Sequence, residues 1–526
     1  MAKVLFINPV VRQEDVPKHI PYGIALLATI AMNAGHAVQV YDANAWRVGD
    51  DVMEQALQAD DWDVVAIGGI TTTYGHVKKI CRMARERSTR SLVVVGGGLL
   101  TAMPRDIMKL IPEIDVGVIG EAFVTFNEIL DEIDSRSRRW SRVNGIIYRE
   151  GEALHLTGAR ALMHDLDTLP YPAYELFPLE EVYFPNSGLL FSEEGMTAKR
   201  RIDINASYGC SLVCKFCFHL GLSGDMKYVQ GSDGEVDVRF DMPGSYTRDI
   251  RYHSPRYIVD MVKSLRARYQ IDYVAFLDEN LMTMDQYSKR TWLKGICELW
   301  IAEGLQPSCV RDGIPHDESC TGVHWDGTSH ATLVNEDLLS TMHRAGCAAL
   351  LYGYESFSPQ ILKRLGKGAS RETNIRSFFK TLEAGIRPIP NQIVGFPSED
   401  FDSLRDNMRA WEELGIVVKP FFATPYPGSA WYEVYKERIL EQYEGDLDRF
   451  LLDLGDATKL TAIISEHFNA VELYGLRELM VAFDYDRIAE YEREWLSRHP
   501  DADARKAADD REASAKQVFA RLQVVS

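Results

Sequence analysis

The sequence predicts an α/β protein: an N-terminal doubly wound, Rossmann-like domain, a partial (β/α)6 barrel of the TIM type, and a C-terminal helical region. Apolar, strand-length runs alternate with helix-length segments through residues 1–140. A second series of about six strand/helix units occupies about 225 residues, shorter than the eight-unit barrel. Beyond about residue 430 the pattern becomes helical.

In the first series, KVLFIN is a strand, residues 23–34 form a helix that ends at Gly35, and AVQVYDAN is the next strand. DVVAIGGI, SLVVVGGG and DVGVIGEA follow. Continuous apolar strands between helices mean a parallel sheet covered on both faces. Glycines stand just after these strands: Gly68–Gly69, Gly96–Gly97–Gly98 and Gly120. Ligands of such sheets bind at the carboxyl ends of the strands.

Residues 141–195 read as a connector, with GIIYREGEALHL as a small hairpin and LPYPAYELFP too rich in proline for a helix. The barrel is expected over 196–428. Its strands are RIDINAS, DYVAFLD, a weaker one near 305–310, AALLYGYES, PIPNQIVG and VVKPFFATPYP. One helix between them is well marked: Ser254 caps it, Pro255 fits its first turn, and Ile258, Val262 and Leu265 share a face. The helical region spans 429–526 and ends in an Ala-rich, charged stretch that reads as an exposed helix; Trp431, Tyr432 and Tyr435 read as core. The insert GSDGEVDVRFDMPGS (231–245) reads as a surface loop or lid, and its acidic residues lack the register of a calcium loop.

Apolar residues make up 46% and charged residues 26% of the 526 residues, an ordinary globular mix. The net charge of −19 argues against nucleic-acid binding, which needs a basic face. No apolar run reaches the roughly 20 residues a membrane span requires. MAKVLFINPV reads as a strand rather than a signal peptide, so a cytoplasmic location is expected. There the eight cysteines stay reduced, and clustered ones point to metal or catalysis.

The strongest motif is YGCSLVCKFCFH, which sets Cys210, Cys214 and Cys217 on one loop after the strand RIDINAS. Three thiolates can hold three irons of a cubane cluster and leave the fourth open. The alternative is zinc, with His219 as a fourth ligand. Cys81 and Cys347 read as core. Cys309, His316, Cys320 and His324 share a segment that reads as an ordered loop near the substrate; a second metal is the alternative, though the spacing matches no common site.

The cysteine spacing, with an aromatic before the third, resembles the radical S-adenosylmethionine (SAM) superfamily. That resemblance implies a 4Fe–4S cluster on Cys210, Cys214 and Cys217, with SAM on the open iron and Phe216 near its adenine. FLDEN (276–280) implies that Asp278 and Glu279 meet the SAM amine. YGYES (352–356) implies a ribose contact from Glu355, IVGFPSE (393–399) a close backbone approach at Gly395, and FFATPYPG (421–428) an adenine region containing Thr424.

With the N-terminal segments IPYGIALLATIAMNAGHAVQVYDAN, GGITTTYGH, VVVGGGLLTAMP and VIGEAF, the chain resembles the cobalamin-binding class of radical SAM proteins. This implies a cobalamin pocket of Thr71, Thr72, Thr73, Gly97, Gly98, Gly120 and Glu121, with Tyr74 near the lower face of cobalt. The Asp-x-His-x-x-Gly motif of cobalamin mutases is absent; DANAWRVGD supplies no histidine for cobalt. An empty, relic domain is the alternative.

The class implies methylation of an unactivated carbon of a small-molecule substrate: a 5′-deoxyadenosyl radical takes hydrogen and methylcobalamin gives the methyl group. It also implies an electron donor such as flavodoxin or ferredoxin. HIPYG (19–23), GKG (366–368) and ATPYPG (423–428) also resemble the anaerobic magnesium-protoporphyrin ester cyclase group, which implies cyclisation, oxidation or rearrangement without methyl transfer. A non-catalytic corrinoid-binding protein is the third reading. Neither the substrate nor the oligomeric state is written in these motifs.

Overall fold

The computed structural model describes residues 1–188, 192–212, 214–217, 226–230, 236–240, 250–289 and 291–500. Its first sheet has seven strands: β1 Lys3–Asn8, β2 Ala37–Asp42, β3 Val64–Gly68, β4 Leu92–Gly96, β5 Val116–Val118, β6 Ile146–Glu150 and β7 Ala153–Leu156. They lie in the order β2-β1-β3-β4-β5-β6-β7. β1 to β5 are parallel. Val4, Phe6, Val64 and Ala66 enter one core, while Leu5, Ile7, Val65 and Ile67 enter another. Burial on both faces is why these strands read as unbroken apolar runs. The expected hairpin is β6–β7, but it pairs onto β5, so this sheet runs past residue 140. Helix Tyr22–Asn33 stops ahead of Gly35, whose φ of +89° ends the turn.

Next come β8 Arg201–Ile204, β9 Ser207–Tyr208, β10 Met226–Gln230, β11 Val236–Phe240, β12 Arg251–Tyr252, β13 Tyr273–Phe276, β14 His324–Ser329, β15 Cys347–Glu355, β16 Arg387–Val394 and β17 Phe421–Phe422. Six of them make one parallel sheet in chain order, β8-β13-β14-β15-β16-β17. Among the described residues β8 and β17 do not pair, so the barrel stays open. β9 pairs with β12, and β10 with β11. The third barrel strand is β14, not the segment near 305–310, where Ser308–Asp312 is a short helix. The sequence HWDGTS hides this strand because Asp326 and Thr328 alternate with the core residue Trp325, leaving no apolar run. Ser254 does cap helix Pro255–Tyr269, accepting the N–H of Tyr257 at 3.2 Å.

Helices Ala430–Gln442, Leu447–Asp453, Ala470–Val481 and Tyr485–Arg498 follow the barrel. The charged stretch from residue 501, His219, and the 231–245 insert apart from β11 lie outside the described residues. Among the described residues no helix is long and apolar enough to cross a membrane.

Two buried polar links join the sheets. The Arg201 guanidinium lies 2.5 Å from the carboxylate of Asp203, both nearly inaccessible. The other Asp203 oxygen accepts the N–H of Ile20 at 3.2 Å and faces His19 Nδ1 at 3.0 Å. Burial raises the Asp203 carboxyl, but Arg201 and His19 outweigh it and hold it below the usual range. The connector braces this point: Tyr174 donates to the Asp203 carbonyl at 2.7 Å. In the second link Arg251 grips both carboxylate oxygens of Glu121, one of them at 3.0 Å, and donates to the Met163 carbonyl at 2.8 Å. His19 and Ile20 follow β1, and Glu121 follows β5. The carboxyl end of the first sheet is therefore the end docked against the start of the barrel.

Arg251→Met leaves the Glu121 charge buried without its partner, which costs about 3–5 kcal/mol. Denaturant unfolding should show this loss, and adding Glu121→Gln should recover most of it.

Candidate functional site

The cysteine loop leaves β9 after Gly209, whose φ is +96°. Cys210 and Cys214 are buried and Cys217 is half-buried. The N–H of Cys217 donates to the Cys214 carbonyl at 3.1 Å, turning the loop back on itself. The Cys214 sulfur beside it, together with burial, pushes the Cys217 thiol well above its usual range. A buried cation stands at the same place. Lys367 Nζ is 2.5 Å from Glu355 Oε1. Burial works against its charge, but Glu355 and Cys214 outweigh burial and keep it protonated. Lys367 also sits 5.6 Å over the Phe216 ring. Buried thiolates need a counter-charge, so this set fits an anionic iron–sulfur cluster.

Phe216 packs 5.5 Å from Trp431, which packs 5.8 Å from Phe396 of the fifth-strand motif. The N–H of Trp431 donates to the Lys215 carbonyl at 2.9 Å. Trp431 and Tyr432 are core residues, and Trp431 closes the first post-barrel helix over the cysteine loop.

The strand ends carry the other expected residues. Glu355 ends β15 with a φ of +61°, beside a register slip between Gly353 and Glu355. A glutamate in that conformation is strained, and such strain persists where the surroundings over-determine it. A Cβ on Gly353 would collide with the Glu355 carboxylate. Gly395, at φ +91°, donates its N–H to Glu399. Thr424 is buried and donates to the Phe422 carbonyl at 3.0 Å.

Asp278 departs from expectation. Its carboxylate accepts the Ala206 N–H at 3.0 Å and the Ser207 hydroxyl, so it is occupied in holding the β8–β9 corner. Burial raises it to about 6. Glu279, next to it, is exposed.

Several residues at these strand ends were not singled out from sequence. Buried polar atoms without a hydrogen-bond partner include Asn280 Oδ1, Ser329 Oγ, His330 Nε2 and Glu399 Oε1. Ser329 is the last residue of β14, and the other three follow the carboxyl ends of β13, β14 and β16. Burying such atoms unpaired is costly, so their place at the carboxyl side of the strands fits a polar cofactor such as SAM. Asn280, Lys367 and Glu399 lay inside the quoted motifs FLDEN, GKG and IVGFPSE. Ser329 and His330 end a strand that the sequence did not reveal.

On the facing sheet, Thr71–Thr73 form a 3-10 turn in which the Ile70 N–H and carbonyl both bond the Thr73 hydroxyl, at 3.1 and 2.8 Å. Thr71 and Thr73 are buried and Thr72 is half-buried. Gly97, at φ +86°, has no room for a side chain, since a Cβ would lie 2.6 Å from the Gly69 carbonyl. Gly98 opens a short helix, and Gly120 donates to Thr101 Oγ1 at 3.0 Å. Large apolar side chains stay exposed in the loops after β1, β2, β3 and β5: Val11, Trp46, Val48, Ile70 and Val124, at 39–50%. An apolar rim around glycine loops fits a large ring ligand such as a corrin.

Two expected members of that pocket have other roles. Tyr74 is wholly buried and bonds Asp448, so it offers no surface beside cobalt. The Glu121 carboxylate is engaged by Arg251. Nor is the Cys309, His316, Cys320 and His324 segment near the cysteine loop. It lies at the amino end of β14, because His324 is level with Tyr273 and Arg201, the first residues of β13 and β8.

An open parallel barrel with a three-cysteine loop at its mouth, faced by the glycine loops of a doubly wound sheet, defines an enzyme class with a cofactor site on each side. Residues 9–130 match the B12 binding domain, and residues 204–410 match the Radical SAM superfamily. The chain belongs to the radical SAM enzymes that carry a B12-binding domain, whose cofactors are a 4Fe–4S cluster, SAM and cobalamin. An uncharacterized methyltransferase of Pyrococcus horikoshii is 25% identical over 414 residues, 78% of each chain. The anaerobic magnesium-protoporphyrin IX monomethyl ester cyclase of Synechocystis sp. is 22% identical over 460 residues, 84% of this chain and 79% of its own. The radical SAM methyltransferase TsrM of Kitasatospora setae, solved with cobalamin and a 4Fe–4S cluster, superposes with a TM-score of 0.60. It is 16% identical and covers 84% of this chain and 75% of its own, a likeness of fold.

Burial raises the Glu399 carboxyl from 4.5 to about 8. Between those values the unfolded chain releases a proton that the folded chain keeps, so Glu399 costs stability as pH rises. Glu399→Gln keeps an acceptor for Gly395 and cannot ionise. Its melting temperature should therefore fall less than the parent's between about pH 5 and about pH 9. Equal falls would contradict the burial of this carboxyl.

Proposed function

We propose that this chain is a C-methyltransferase acting on an unactivated carbon of a small molecule. When bound, SAM at the cluster supplies a hydrogen-abstracting radical, and cobalamin supplies a methyl group. In this reading Cys210, Cys214 and Cys217 hold the cluster, with Lys367 balancing its charge and Phe216 near the adenine. Glu355 is held by Lys367 in a conformation suited to accepting ribose hydroxyls, and Gly395 and Thr424 line the nucleoside edge. Asn280, with Glu279 beside it in sequence, and the His330 side chain are assigned to the methionine end of SAM. Thr71, Thr72, Thr73, Gly97, Gly98 and Gly120 line the corrin side. Trp431 helps keep water from the cysteine loop.

The observation that carries this reading is the docking of the first sheet's carboxyl end against the first barrel strand and the β9–β12 pair, through Asp203 and Arg251. It supports a shared space in which a radical formed at one side can be answered from the other. The likeness to the magnesium-protoporphyrin cyclase over 84% of the chain favours a second reading, cyclisation without methyl transfer. An electron donor such as flavodoxin or ferredoxin goes with either.

Reconstituted anaerobically with cobalamin, SAM and a reductant, a methyltransferase should form S-adenosylhomocysteine and 5′-deoxyadenosine together. A product mixture holding 5′-deoxyadenosine alone would favour the cyclase reading. Replacing Cys210, Cys214 and Cys217 by alanine should abolish cluster absorbance and 5′-deoxyadenosine; survival of either would overturn both readings.

A further inference from the structure

We propose that Cys309, His316, Cys320 and His324 form a structural zinc site on the face of the barrel opposite the cysteine loop. Their ligand atoms all lie within 4.8 Å of one another. Cys309 Sγ is 3.7 Å from His316 Nδ1 and 3.5 Å from His324 Nε2, and Cys320 Sγ is 3.7 Å from His324 Nε2. A tetrahedral zinc with bonds of about 2.3 Å to sulfur and about 2.0 Å to nitrogen sets sulfur–nitrogen edges of about 3.5 Å. The two imidazole rings have centroids 5.1 Å apart and stand at 87° to each other, so they approach the sulfurs from different directions.

The sulfurs are 2.7 Å apart. That is closer than the roughly 3.8 Å edge of such a tetrahedron and longer than the roughly 2.05 Å of a disulfide. Seating the ion spreads them by about 1 Å, which Cys320 can provide from its half-exposed loop. Two histidines converging on the same sulfurs favour an ion over a disulfide, which would leave the rings without a task.

The surroundings are built for these ligands. The Cys309 N–H donates to Cys320 Sγ at 3.3 Å, a contact that stabilises a thiolate. Thr197 Oγ1 lies 2.7 Å from His316 Nε2, which leaves Nδ1 toward Cys309. Such outer contacts orient metal-bound histidines. Gly322, at φ +107°, passes so close to Gln306 and Pro307 that a Cβ would come within 2.6 Å of either. This close pass returns the chain to the cysteine helix and brings Cys320 beside Cys309.

Two cysteines and two histidines make a closed zinc set with no open position for substrate. The site ties together helix Glu193–Thr197, helix Ser308–Asp312 and the first residue of β14. The amino-terminal face of a parallel barrel serves stability rather than chemistry. The sequence spacing matched no familiar pattern because the four ligands are folded together from a helix, a loop and a strand.

The test is elemental analysis of the full chain purified anaerobically without chelator, with zinc and iron counted separately. About one zinc per chain is expected beside the cluster iron, and zinc-edge absorption should show two sulfurs at about 2.3 Å and two nitrogens at about 2.0–2.1 Å. The Cys309→Ser/Cys320→Ser variant should lose the zinc, keep the cluster iron and melt lower. Should that variant not fold, the parent's zinc count and edge spectrum decide alone. A parent without zinc, a Cys309–Cys320 disulfide found by thiol counting, or a double variant that keeps its zinc would each overturn the proposal.

Discussion

The buried carboxylate of Asp203 is the point on which the arrangement of the two sheets depends. It sits on the first barrel strand, paired with Arg201, and takes its remaining bonds from Ile20 and His19 of the other domain. A charge taken out of water tolerates few geometries, because each lost bond leaves an unpaired group. The link is therefore specific in a way that apolar packing is not. It faces the loops after β1 toward the barrel, and the Glu121–Arg251 pair does the same for the loop after β5. Fixing two separated loops fixes the orientation of the whole sheet.

A second constraint operates at the barrel mouth. Glu355 holds a left-handed backbone conformation and a buried ion pair with Lys367, while Lys367 faces Cys214 and Cys217. One cation thus serves a carboxylate and a pair of sulfurs. The arrangement couples the end of the fourth barrel strand to the cysteine loop, so in the proposed reading the groups for SAM and for the cluster are positioned together. Trp431 adds an apolar closure by packing against both Phe216 and Phe396.

Much of the fold was legible because doubly covered parallel strands are apolar throughout. KVLFIN, DVVAIGGI and SLVVVGGG could be little else. β14 was missed for the converse reason: Asp326, Thr328 and Ser329 are polar, and Gly327 adds no apolar side chain. The loss of β14 hid Ser329 and His330 and misplaced the Cys309 to His324 segment. The cysteine loop was legible since its spacing is local. Asp278, Glu121 and Tyr74 lie just beyond strand ends, as expected of cofactor contacts, but local sequence does not say which neighbour a side chain meets. Ser207, Arg251 and Asp448 lie 71, 130 and 374 residues away from them, respectively.

The central claim is that the cobalamin side and the cluster side share one space between the docked strand ends. Pulsed electron paramagnetic resonance on chain loaded with both cofactors, each in a paramagnetic state, measures it directly. A resolved dipolar coupling between the two centres, absent when Cys210, Cys214 and Cys217 are replaced, is the predicted result. Two fully loaded centres with no coupling would contradict the account.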